Sequence, residues 1–240
     1  MTFGFDTTQD IRSDAVSRAS DDVRAAFLKR TYFHLAVAVW AFAALEAALL
    51  QVPGIENLIG RMIGGRFSWL LVIGAFVGVS FLANKWAMST TSKGKQYAGL
   101  GIFVVAEAII FLPLIWIADR FVPGAIPVAA VSTLVLFSAL TAIVFVTGKD
   151  FSFLRGALSL GFLLAMGLIV ASIIFGFDLG IFFIIAMIAL MAGWVLYDTS
   201  NVLHHYRTDQ HVAASLSLFA SIALMFYYIL MLVMSLTSRD

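Results

Sequence analysis

Apolar residues in this chain neither alternate nor recur at a surface helix's spacing. They gather into long runs broken by short polar, glycine or proline stretches. The runs fall at roughly 32–51, 68–88, 97–118, 125–147, 153–175, 180–203 and 212–236, each close to the ~20 residues that carry a helix across a bilayer core. Seven transmembrane helices and an all-α polytopic membrane fold are predicted. The weak alternation of a membrane β-barrel does not fit such runs. The shortest break, FGFDLG at 175–180, holds Gly176, Asp178 and Gly180, poor helix-interior residues that predict a tight turn.

Composition agrees with the pattern. Of 240 residues, 62% are hydrophobic and 12% charged, and mean hydropathy is +1.00, more apolar surface than a soluble domain of this length could bury. A net charge of +1 and the lack of a long basic tract give no reason to expect nucleic acid as a partner. Without cysteine there are no disulfides or thiolate metal sites.

Residues 1–30 mix acids and bases without an apolar stretch, so they read as a cytosolic tail rather than a cleaved signal peptide. Val23, Ala26 and Phe27 behind a cap at Ser20 or Asp21 suggest an amphipathic surface helix before the first span. Residues 31–240 form one seven-span domain. Arg12, Arg18, Arg24, Lys29, Arg30, Lys85, Lys93, Lys95, Lys149, Arg155 and Arg207 fall on one side, against Arg61, Arg66, Arg120 and Arg239 on the other. Eleven cations against four place the N-terminus in the cytoplasm and, after seven crossings, the C-terminus outside.

The carboxylates within predicted spans are Glu46, Glu107 and Asp198. An ionisable group at that depth costs at least a few kcal/mol unless it faces the bundle interior or water. Glu107 lies near the midplane of the third span, with Pro113 freeing a backbone carbonyl nearby. It is read either as an acid hydrogen-bonded to a neighbouring helix or as part of a cation or proton pathway. Glu46 sits nearer the outer end of the first span and is expected to reach the interface. Asp198 lies in a helical hairpin turning near residues 207–210, so residues equally far from the turn share a depth. About eleven residues either way from Asp209 pair Asp198 with Ala220 and Ser221, placing a hydroxyl within reach of the carboxylate.

Other constellations carry less. His204, His205 and His211 read as a solvated loop cluster, since none forms H-E-x-x-H, and His34 as an interfacial residue. No metal site is assigned and no cofactor is expected. No phosphate-binding loop or nucleophile elbow is present, so neither ATP-driven transport nor hydrolysis is indicated, and the chain reads as a non-enzyme.

Four stretches together resemble the Bax inhibitor-1 family, in its bacterial, YccA-like branch: FLKRTYFHLAVA, AEAIIFLPLI, STLVLFSALTAIVFVTGKDFSFLRG and LYDTSNVLHHY. The last two are the more specific, and the resemblance covers about residues 27–236. It implies seven helices with a central one wrapped by the others, and a passive, pH-sensitive calcium leak at the cell inner membrane. It further implies two aspartates, on the sixth and seventh spans, that share a proton and open the path when both ionise. Asp198 corresponds to the first. The second position is occupied by Ser221, within LFASIALMF, and a serine cannot ionise, so that dyad cannot form. Asp198 then acts with another acid such as Glu107, or the chain has a different role. The same branch implies a competing role, an interaction protein modulating a membrane-bound protease without moving ions. A proton-coupled exporter is a third reading.

Overall fold

A computed structural model describes residues 15–89 and 92–237. The first fourteen residues of the tail, with Arg12, and the terminal residues 238–240, with Arg239, lie outside the described residues. Among those described are eight α-helices and no strand. They are α1 (Asp21–Leu49), α2 (Ile55–Ile63), α3 (Arg66–Ala87), α4 (Lys93–Phe121), α5 (Ala125–Thr147), α6 (Arg155–Phe175), α7 (Gly180–His204) and α8 (His211–Thr237). All but α2 are long and apolar enough to cross a membrane, and they match the seven predicted spans.

Two boundaries add to the sequence reading. The helical spacing from Ser20 onward is the start of α1 itself, which runs unbroken into the first span. Residues 55–63, given no element from sequence, form α2, a short amphipathic helix burying Ile55, Ile59 and Met62. The turn at 175–180 forms as predicted. Gly176 (φ 76°) ends α6 in the left-handed region, its N–H donating to the Ser172 carbonyl at 2.8 Å. The Asp178 carboxylate then accepts from the Gly180 N–H at 3.0 Å.

The core is built around α8. More than half of its apolar window, 56%, is buried, against 6% for α3 and 11% for α6, so α8 is the central helix and α3 and α6 face lipid. Around it pack α1, α4, α5 and α7. Phe219 of α8 meets Phe42 of α1 and Phe103 of α4 with ring centroids 6.0 and 6.1 Å apart. Because α1, α4 and α8 run in the same direction, their N-terminal ends gather on the side that carries the tail, hereafter the tail side.

Lipid-facing α3 is anchored mainly to α4. A Cβ built at Gly99 would lie 2.5 Å from the Ala83 carbonyl oxygen and 2.7 Å from the Ala87 nitrogen. Both are backbone atoms, so any side chain there must push the helices apart. Gly99→Val is expected to destabilise the protein by about 2 kcal/mol, the scale of overpacking a close contact, read as a fall in thermal unfolding temperature in detergent. A matching substitution at Gly101, with open space around it, is expected to have little effect.

Candidate functional site

One stripe of α7 is buried against the bundle: Ile184, Met187, Met191, Val195, Asp198 and Val202, spaced three or four residues apart. Asp198 is its one charged member. The adjoining helix supplies the donors it needs. Ser221 Oγ donates to Asp198 Oδ2 at 2.5 Å, and Ser217 Oγ donates to Oδ1 at 2.7 Å. Asp198 and Ser221 are 5% and 6% exposed, so this carboxylate exchanges water for two hydroxyl donors on the central helix. The hairpin register predicted Ser221. It missed Ser217, although SLFAS spaces the two serines four apart on one helical face.

The α7–α8 loop covers this carboxylate on the tail side. Tyr206 is half-buried within it, and its phenol is pushed above its ordinary value, first by desolvation and then by the Asp198 charge. Two neighbours hold the loop. From the tail, the Val16 N–H donates to the Tyr206 carbonyl at 3.0 Å and Ala15 bridges Arg207, while the Val16 side chain is fully buried. From the α5–α6 connection, Asp150 Oδ1 accepts from Ser200 Oγ at 3.2 Å and from the Ser152 N–H at 2.8 Å. Its Oδ2 lies 2.9 Å from His205 Nε2, and the Phe151 N–H donates to Ser200 Oγ at 2.8 Å.

The other carboxylates are not brought to Asp198. Glu107 lies between Phe103 and Phe111, which meet Phe219, Phe226 and Tyr227. Phe219 and Ser221 are two residues apart, about 200° around the helix, so α8 stands between Glu107 and Asp198. Glu107 is 4% exposed, and among the described residues no hydrogen-bonding partner meets its carboxyl. Glu46 departs from its expected place at the interface. It too is 4% exposed, and among the described residues neither carboxylate oxygen has a partner. Its distance along α1 suggested water within reach, but α2 folds over that end.

The histidines separate as well. His205 pairs with Asp150, and His204 Nδ1 lies 3.0 Å from the Ser200 carbonyl. His211 is buried rather than solvated, its ring 5.1 Å from that of His34 and its Nε2 3.5 Å from the Tyr97 hydroxyl. Among the described residues, no group of three or more acids and histidines is placed to hold a metal ion.

The family described as inhibitor of apoptosis-promoting Bax1 matches residues 24–239. Bax inhibitor 1 of Schizosaccharomyces pombe is 26% identical over 94% of this chain and 82% of its own length. The modulator of FtsH protease YccA of Escherichia coli K12 is 27% identical over 89% of this chain and 91% of its own. Protein LIFEGUARD 4 of Arabidopsis thaliana is also 27% identical, over 88% and 85%.

Two expectations follow from the geometry. Ser217→Ala and Ser221→Ala each remove one donor from a buried carboxylate and should each cost about 2 kcal/mol in detergent unfolding, less than additively in the double variant. At Asp150, partial burial pushes the carboxyl up, but the Ser152 amide and hydroxyl and the His205 ring outweigh it and hold it at about 2. Its contribution is therefore present above the ordinary carboxylate value of about 4 and is lost as pH falls towards 2. Hydrogen exchange across residues 200–210 should rise through that acid range in the native protein. Asp150→Asn should exchange faster at neutral pH and lack the acid step.

Proposed function

Since the chain belongs to the Bax inhibitor-1 family, we propose that this multi-pass membrane protein passes cations, calcium foremost, passively along the seam between α7 and the central α8, with Asp198 as the gate. The observation that carries the reading is the buried Asp198 carboxylate, clamped by hydroxyls of the central helix and capped by a tethered loop. At the other end of α7 is a cavity of about 490 Å³, lined by Ser172, Asp178, Ile184, Tyr227 and Tyr228 among others. Fourteen residues separate Ile184 from Asp198, about 21 Å of helix. Met187, Met191 and Val195, none more than 3% exposed, fill the interval. A mouth, an apolar plug and an acid thus lie along one seam in a closed arrangement. Glu107 falls outside it, on the other side of α8.

Calcium prefers six to eight oxygen ligands. One carboxylate with two hydroxyls makes a weak, transient, partly hydrated station, which suits a leak rather than a buffer. The cation excess on the tail side supports a cytoplasmic placement of that side, and the relative called inner membrane protein YccA supports an inner-membrane location. A second reading draws on the name of the modulator of FtsH protease: this chain modulates a membrane-bound protease without moving ions. The Val16 tether favours it, because a partner that engages the tail meets a segment already bound to the Asp198 loop.

Flux from proteoliposomes decides between the two. Native protein should release calcium, and Asp198→Asn should slow release at least ~10-fold, the effect of about 1.4 kcal/mol on the barrier. Glu107→Gln should flux as native. Deletion of residues 1–18 should preserve or raise flux if the seam conducts. Should native protein hold calcium and other cations at both acid and neutral pH while the deletion abolishes an effect on the protease, conduction is wrong and modulation stands.

The serine at 221 sets a second expectation. Two carboxylates facing each other cannot both carry full charge at low cost, so Ser221→Asp should make flux steeply pH-dependent, whereas native flux should vary weakly. Adding Asp198→Asn to that variant should remove the steep dependence. A steep native transition that survives Asp198→Asn would discard Asp198 as the sensor.

A further inference from the structure

We infer that Glu46 is a proton-binding site on the side opposite the tail, closed by α2 acting as a hinged lid. The inference is independent of the proposed conduction along α7 and α8. Glu46 is 4% exposed, and among the described residues both its carboxylate oxygens lack a partner. Leu49 and Leu50 follow it by three and four residues on the same face of α1. Both belong, with Trp116 and Leu112 of α4, to the cluster against which Ile55 and Ile59 of α2 pack. Phe42 and Phe111 meet edge to face at 5.3 Å. One turn further along these parallel helices places Glu46 level with Ile115 and Trp116, one turn before the Leu49 and Leu50 on which α2 packs. The Trp116 indole N–H is likewise buried without an acceptor among the described residues.

The chemistry of that pocket selects its ligand. A carboxylate stripped of water and donors costs so much that the group takes up a proton instead. A metal cation would need several oxygens, and helical carbonyls along α1 are already engaged in its ladder. The charged side chains of the surrounding elements, Glu56 and Arg61 on α2 and Asp119 and Arg120 on α4, are exposed. None of them forms a bond to Glu46, and from α8 the nearby titratable group is the Tyr227 phenol. The proton is therefore the ligand that fits, with the indole N–H available to a water shared with the carboxyl when the lid lifts.

The lid has the construction to move. Gly54, at φ 79°, precedes α2, and Gly64 and Gly65 follow it. Among the described residues no side-chain hydrogen bond or ion pair ties α2 down, and its hold is the apolar contact of Ile55, Ile59 and Met62. With the lid down Glu46 must be neutral, and once ionised it needs water, which the lifted lid admits. Proton release and lid opening are thus one equilibrium, and higher pH on that side favours the open form.

The chain has no cysteine, so a single introduced thiol reports on the lid. Ile59→Cys places that thiol on the buried face of α2, and Asn57→Cys, on the exposed face, corrects for thiol ionisation. In proteoliposomes, the maleimide reaction rate of the Ile59→Cys variant divided by that of the Asn57→Cys variant should rise at least about fivefold between pH 6 and 9. With Glu46→Gln added to both, which keeps shape but cannot ionise, the ratio should stay low and flat. Infrared spectra at neutral pH should show a neutral carboxyl band in the native protein that Glu46→Gln removes. If Ile59→Cys does not fold, Met62→Cys serves in its place. A ratio that does not change with pH, a rise that persists in Glu46→Gln, or no neutral carboxyl band assignable to Glu46 would each overturn the inference.

Discussion

Nothing in hydrocarbon solvates an anion, and the contact between Asp198 and the two serines of α8 answers that constraint. Ser217 and Ser221 lie one turn apart on the same face, so satisfying both carboxylate oxygens fixes how α7 is rotated and how far it slides along α8. A shift by one turn would leave an oxygen without a donor. The α7–α8 loop, the half-buried Tyr206 and the segments packed on it inherit their positions from that register. Central α8 thus serves both as the apolar axis of the bundle and as the polar surface that makes an acid tolerable in its interior.

Polar chemistry is sorted around that axis. The face of α8 turned towards α7 carries Ser217 and Ser221, while the face turned towards α1 and α4 carries Ser215 near the tail side, its hydroxyl on the Thr31 carbonyl, and beyond it Phe219, Phe226 and Tyr227 in an aromatic layer with Phe42, Phe103 and Phe111. Glu107 and Glu46 fall on the aromatic side, without the donors given to Asp198. Three carboxylates of similar burial therefore have different surroundings, and burial alone does not say which one belongs to a pathway.

Much of this was legible in the sequence, for reasons that also explain what was not. A bilayer demands unbroken apolar runs, so the seven spans stand out with boundaries close to those observed. The depth pairing of Asp198 with Ser221 was readable because a tight hairpin ties position in sequence to depth. Ser217 escaped because counting to one depth gives one partner, whereas a carboxylate has two oxygens and a helix repeats its face every four residues. The position of Glu46 was misread because distance along its own helix says nothing about a neighbour folding over the end. At nine residues, α2 is too short to register among spans of twenty. His211 looked like a loop residue beside His204 and His205, yet three parallel helices starting on one side bring it to His34 and Tyr97 instead.

The tail's attachment at Val16 left no periodic trace either, since it consists of one buried side chain and a short extended pairing with residues 206 and 207. Mechanically, it is a tether. Tension on Val16 reaches residues 206 and 207 through that pairing before it can load α1, which begins only at Asp21. A pull on the tail is thus delivered first to the loop over Asp198, and only afterwards to the bundle. Grip on the segment before α1 is converted into displacement of the loop beside the buried Asp198 charge.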